Sequence, residues 1–183
     1  MILLVALASS AVSAQQEVPP VQPEETLRLR VDISDRELRA FIGDEEIAQY
    51  AVAIGKEKNP TPRGTYNIRK IIWNPGWVPP NEKWARGKSA KPPGHPENPM
   101  KRVKMFFKEP DYYIHGTGDE DSLGTAASHG CVRMSEEDVT SLAKLVMERG
   151  GQPQPEPWYR RILHSRKTKV VYLRQPIGIE VVE

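Results

Sequence analysis

Between Ile114 and Asp138 the chain concentrates residues able to do covalent chemistry. Cys131 is the only cysteine in 183 residues, and two of the four histidines, His115 and His129, share its segment. Glycines stand at 116, 118, 124 and 130. A nucleophilic thiol needs a base to accept its proton and N–H groups to hold the oxyanion that follows. A helix expected to start near Ser135 would put its positive end close to Cys131, and a thiol so placed has its pKa lowered. His129 is two residues from Cys131 and points elsewhere if the piece is extended. His115, further upstream at the end of an expected strand, can fold back to face the thiol. The spacing therefore favours His115 as base, and the Gly130–Cys131 backbone could supply oxyanion donors.

Two other chemistries compete for these residues. Cys131, His115, His129 and the run Asp119-Glu120-Asp121 could hold a metal, but a structural zinc site ordinarily shows paired cysteines at close spacing. The acidic run reads as a solvated loop tip, or as an attractor for a cationic substrate group. A lone thiol can equally be buried and inert. His95, set among prolines, reads as a surface residue.

The elements that must position the segment are mostly strands. Leu27, Leu29, Val31 and Ile33 alternate with Arg28, Arg30 and Asp32, the period of a half-buried strand. Leu38 to Ile42 and Ile47 to Ile54 form a hairpin across Gly43-Asp44. Thr65 to Ile72, Val103 to Phe107 and Tyr112 to His115 are further strands, and Val170 to Leu173 and Ile177 to Val182 close the chain. From Asn74 to Met100 the pattern lapses into a proline-rich stretch with Trp77 and Trp84. It is either a lid or binding loop, or a surface excursion packed on its tryptophans. Ser135 can cap a helix in which Val139, Leu142, Ala143 and Val146 share one face and Gly150-Gly151 ends the run. The residues thus describe a mostly β domain with one principal helix.

Composition narrows the function. A net charge of +2 gives no electrostatic case for nucleic acid or an anionic membrane surface as partner. The length suits one domain. Residues 1–14 are uncharged and apolar and end in Val-Ser-Ala. They read as a secretory signal lacking its basic start, or alternatively as a buried N-terminal element. A Pro-rich linker over 15–25 would lead to a domain over 26–183. Structural cysteines of an exported protein usually come in pairs, so an unpaired one there gains interest.

Several motifs then meet a known pattern. His115-Gly116-Thr117 is followed by Ser128-His129-Gly130-Cys131-Val132-Arg133-Met134. Upstream stand Asn59-Pro60-Thr61-Pro62-Arg63-Gly64-Thr65-Tyr66 and Trp73-Asn74-Pro75-Gly76-Trp77. Together they resemble the catalytic domain of the L,D-transpeptidase (YkuD-type) family over roughly 27–150. That resemblance implies a mainly β, sandwich- or barrel-like catalytic domain acting on peptidoglycan stem peptides without metal or organic cofactor. Cys131 would be the nucleophile and His115 the proton acceptor and donor. Ser128, His129, Gly130, Gly116 and Arg133 would form the site, with Arg133 and Trp77 against the substrate. D-alanine would leave a tetrapeptide stem, and the acceptor would be a stem amine, a wall-anchored lipoprotein, a D-amino acid or, in a carboxypeptidase, water. The expected setting is the periplasm or cell envelope, tethered if the signal is uncleaved, and the expected state a monomer. An inactive wall-binding domain of the same fold is the contrasting reading. A cysteine amidase or protease of another fold would place its cysteine early and its histidine well downstream.

Overall fold

A computed structural model describes residues 26–183, so the expected signal and linker lie outside the described residues. The elements are β1 (Leu27–Asp32), β2 (Glu37–Ile42), β3 (Glu45–Ala51), β4 (Ile54–Gly55), β5 (Gly64–Trp73), β6 (Val103–Lys108), β7 (Tyr112–Gly116), β8 (Ala126–Ser128), β9 (Val132–Met134), α1 (Glu136–Arg149), α2 (Glu156–Leu163) and β10 (Lys169–Val182). Eight strands form one sheet in the order β3-β2-β1-β10-β5-β6-β7-β9, and β4 pairs with β8 in a small second sheet.

The alternation read in β1 is real: Leu27, Leu29 and Val31 are buried while Arg28 and Arg30 are exposed. Their inner faces join Ile68, Ile71, Met105, Ile114 and Val132 in a single core, over which α1 lays Val139, Leu142, Ala143 and Val146. Truncating a side chain so placed typically costs 2–5 kcal/mol. Ser135 caps α1 as expected, its hydroxyl accepting the Asp138 N–H at 3.0 Å. Three acids in the first turn suit the positive end of the helix.

The sheet nearly closes on itself, and the closure has a specific seam. Chain leaving the edge strand β3 crosses to the opposite edge, where Ala53 bridges Arg133 with reciprocal backbone hydrogen bonds of 2.9 and 2.8 Å. β9 is thus held by β7 on one side and by Ala53 on the other. Barrel-like closure removes exposed edges.

Four details differ from the sequence reading. A second helix, α2, occupies what reads as a polar loop; Pro157 stands in its first turn, where proline costs no hydrogen bond. The two C-terminal strands are one, β10, with a register shift between Tyr172 and Ile177 against β5. The short strands β8 and β9 flank the Gly130 turn. Three pairings are parallel, β1 with β10, β4 with β8 and β7 with β9, which alternation alone cannot reveal.

The 74–100 stretch is irregular but tied down. Asn74, buried at a positive φ of 46°, donates to the Ile162 carbonyl at 2.6 Å, and its own carbonyl accepts the Thr168 hydroxyl at 2.8 Å. At the other end Asn98, also buried, donates to the Pro75 and Pro92 carbonyls at 2.8 and 3.2 Å. Trp77 and Lys91 exchange backbone hydrogen bonds of 2.8 Å across the base of the excursion.

Candidate active site

A cavity of about 920 Å³ opens between the sheet and this excursion, and Cys131, His115, His129, Ser128, Arg133, Trp77 and Trp84 all line it. The strand period explains the sheet-side wall. Val103 and Met105 of β6, Ile114 of β7, and Val132 and Met134 of β9 enter the core. Their alternates Lys104, Tyr113, His115 and Arg133 face the cavity.

His115 is buried to 4 % exposure, and its Nδ1 lies 2.8 Å from the Gly116 carbonyl. A carbonyl only accepts, so Nδ1 donates to Gly116, and the Pro99 carbonyl also lies against the ring. Burial lowers the imidazole pKa from 6.5 to about 4; the Gly116 carbonyl opposes this, and the Arg133 and Lys104 charges reinforce it. His115 is therefore neutral at physiological pH, the state a base requires. Gly116 also sets the depth of α1, since a Cβ there would approach Lys101 Cβ to 3.0 Å and Val139 Cγ1 to 3.2 Å.

Cys131 sits in the turn between β8 and β9. Ser128 staples that turn: its hydroxyl donates to the Cys131 carbonyl at 2.5 Å and accepts the Gly130 N–H at 3.1 Å. Gly130 has φ +106°, and a Cβ would come within 2.8 Å of the Tyr112 ring, so glycine is required twice over. The Gly130 N–H is thereby committed to Ser128 and is not an oxyanion donor, which corrects one sequence expectation. The Cys131 thiol donates to the Asp111 carbonyl at 3.3 Å.

A second correction concerns thiol acidity. Burial pushes the Cys131 pKa up, with hydrogen bonds from Tyr113 and the Lys104 and Arg133 charges opposing it less strongly. The expected lowering by the helix does not prevail because β9 intervenes between Cys131 and the start of α1. The field of a helix end falls off within about a turn. The resting pair is thus a neutral thiol and a neutral imidazole.

His129 faces the excursion, its ring stacked on Trp84 with centroids 4.1 Å apart and planes at 14°. Burial lowers its pKa, as do the Lys56, Arg133 and Lys88 charges. Arg133 reaches Asp119 only at 3.8 Å, and the rest of the acidic run is exposed in a short 3-10 turn. His95 lies outside the cavity lining. Among the described residues no group of acids, histidines and cysteine is arranged to hold a metal ion. Sequence reasoning missed Lys104, Tyr113 and the pairing of Trp84 with His129. The first two carry a faint signal, being the polar alternates of apolar strand residues.

Solved structures share this architecture. An L,D-transpeptidase from Mycobacterium smegmatis superposes with a TM-score of 0.53 at 17 % identity, covering 85 % of this chain and 58 % of that one. The catalytic domain of the Enterococcus faecium L,D-transpeptidase gives 0.53 at 15 % identity over 86 % of this chain and 97 % of its own. At these identities the likeness is one of fold. Sequence carries it further. A Bacillus licheniformis protein bearing the name L,D-transpeptidase YkuD is 31 % identical over 144 residues, 76 % of this chain and 74 % of its own. A Fuscovulum blasticum relative, also named an L,D-transpeptidase, is 34 % identical over 104 residues, 54 % of its length. The sequence model of the L,D-transpeptidase catalytic domain matches residues 27–171. The chain belongs to the L,D-transpeptidase family.

Proposed function

We propose that this chain is an exported peptidoglycan L,D-transpeptidase that works through a Cys131 acyl-enzyme. The observation that carries the reading is one cavity wall holding a neutral thiol and a neutral imidazole oriented by the Nδ1–Gly116 hydrogen bond. A neutral pair favours deprotonation coupled to attack over a standing thiolate. Cys131 Sγ swings from Asp111 to the stem carbonyl, and its proton passes to His115. The S–C bond forms as the C–N bond to D-alanine breaks, and the leaving nitrogen takes the proton from His115. An acceptor amine then reverses these steps, losing a proton to His115 as the thioester opens. With the Gly130 N–H engaged, the Cys131 N–H is the main-chain candidate for the oxyanion. The Arg133 guanidinium, only loosely held by Asp119, is free to take a stem carboxylate in a bidentate pair. Trp77 and Trp84 give the opposite wall its apolar surface. One chain supplies every group invoked, in keeping with a monomer, and a periplasmic or envelope setting follows from the substrate.

The test is incubation of the protein, and of Cys131→Ala, with tetrapeptide muropeptides, read by mass spectrometry. A thioester adduct on the wild type with loss of alanine and appearance of dimers is expected. Alanine loss without dimers would make the enzyme a carboxypeptidase. Lipoprotein lysine peptides and D-amino acids offered as acceptors separate the remaining routes. Folded protein that leaves every donor unchanged would indicate a wall-binding domain.

A further inference from the structure

Three adjacent strands set three side chains in a row across the cavity floor. Lys104 of β6 is the register partner of His115 in β7, and His115 is the register partner of Arg133 in β9. All three line the cavity. The row is cation, imidazole, cation, and its two ends are not alike. Arg133 has Asp119 at 3.8 Å, whereas Lys104 forms no ion pair among the described residues and feels the Asp111 carboxylate only from longer range. Other lysines at or near the cavity are neutralised: Lys70 by Glu109 and Lys91 by Glu97, each at 2.5 Å. Lys104 instead rests its ammonium on two rings, 3.7 Å from the Tyr113 centroid and 4.6 Å from that of Phe106. Ring faces hold a cation without occupying its N–H donors, so those donors are available to an anion in the cavity. Burial lowers the Lys104 pKa, and an arriving carboxylate would restore the charged form.

Taking His115 as the group that returns the proton to the leaving nitrogen, the place of Lys104 selects a particular carboxylate. Neighbouring strands run about 4.8 Å apart. In a C-terminal amino acid the α-carboxylate is joined to the nitrogen through a single carbon. A leaving nitrogen at His115 therefore brings its own carboxylate within reach of the next strand. On that basis we propose that Lys104 is a specificity-determining residue that binds the terminal α-carboxylate of the departing amino acid, restricting the enzyme to donors whose scissile residue is the last. Arg133, on the far side of the imidazole, is left for a carboxylate of the retained stem. This inference rests on the acyl-transfer reading above.

The experiment compares a tetrapeptide donor bearing a free C-terminal carboxylate with the same peptide as its C-terminal amide. Acylation is measured for wild type, Lys104→Met, Lys104→Arg and Lys88→Met. Lys88, an exposed lysine of the excursion that also lines the cavity and is set over Trp84 at 5.1 Å, tests whether any cation at the cavity would serve. A partly buried charge-assisted contact corresponds to roughly a 10- to 100-fold preference for the carboxylate, chiefly in KM. Lys104→Met should lose that preference by slowing only on the carboxylate, Lys104→Arg should keep most of it, and Lys88→Met should leave it unchanged. Equal slowing of Lys104→Met on both donors, with a shifted pH profile, would overturn the proposal and leave Lys104 only an electrostatic neighbour of His115. Calorimetric binding of both peptides to Cys131→Ala, with and without Lys104→Met, separates the two levels of inference. If the wild type forms no acyl-enzyme with either donor while Cys131→Ala shows a Lys104-dependent preference for the carboxylate, the anion site stands and the transferase reading falls. No preference in either assay would overturn the anion site itself.

Discussion

The cavity has two walls built on different principles. The sheet-side wall takes Lys104, His115 and Arg133 from paired strands, and their spacing is fixed by backbone hydrogen bonds that also define the fold. The opposite wall comes from the 74–100 excursion, which has little regular structure and is held through the buried Asn74 and Asn98 and the Trp77–Lys91 bridge. It meets the cysteine-bearing turn through the stacking of Trp84 on His129. The first wall can set the chemistry because its members cannot shift independently. The second can vary what is held against that chemistry without disturbing it.

The contrast breaks most decisively at His115. His115→Gln should keep the fold and reduce Cys131 acylation by roughly 100- to 10,000-fold, the usual worth of a positioned base. An equal loss in His129→Gln with activity retained in His115→Gln would reverse the assignment. Stability carries the next effect. His115 is neutral in the folded protein and ionises near 6.5 when unfolded, so the folded state gains from it above pH 6.5 and loses that gain as pH falls to about 4. Up to about 3 kcal/mol is at stake over that window. Denaturant titrations at pH 7, 5.5 and 4 should show it, with a flatter dependence in His115→Gln.

The thiol gives a sharper chemical test. A raised Cys131 pKa predicts slow alkylation by iodoacetamide at pH 7, with the rate climbing into the alkaline range above that of an ordinary thiol. A plateau already reached at pH 6 would reveal a thiolate–imidazolium pair instead. The smallest effect belongs to the excursion. Trp84→Ala removes a stacking contact worth about 0.5–1.5 kcal/mol, so KM should rise by up to about tenfold while kcat holds. A fall in kcat alone would place Trp84 with the chemical wall.

Much of this division is legible in the residues, and the rest is hidden for physical reasons. The Ser-His-Gly-Cys turn, the Ser135 cap and the alternation of β1 are local patterns, and each stands where it was expected. The place of Cys131 beside β7 depends on a parallel pairing of β9 with β7 across the intervening loop, which strand alternation does not encode. The acidity of the thiol was expected to fall because a helix follows it in sequence. The three residues of β9 remove that helix to a distance, and burial decides the sign. Helix α2 was missed because Pro155-Glu156-Pro157 has the composition of a loop, although proline is welcome in a first helical turn. Lys104 escaped notice because a lysine in an apolar strand reads as a solvent-facing alternate, and here the outward face is the cavity.

The seam at Ala53 and Arg133 bears on how the molecule is made. It joins segments 80 residues apart, so the chain must close a long loop before β9 is gripped from both sides. Non-local pairings of this kind slow folding, since their entropy is spent before their contacts form. The cysteine-bearing turn leads directly into β9, so its geometry matures only when the two edges of the sheet meet. A nascent or partly unfolded chain carries the cysteine without the framework that directs it. Acylation by a donor would then report completed folding, a property that a pulse of substrate during refolding could follow in time.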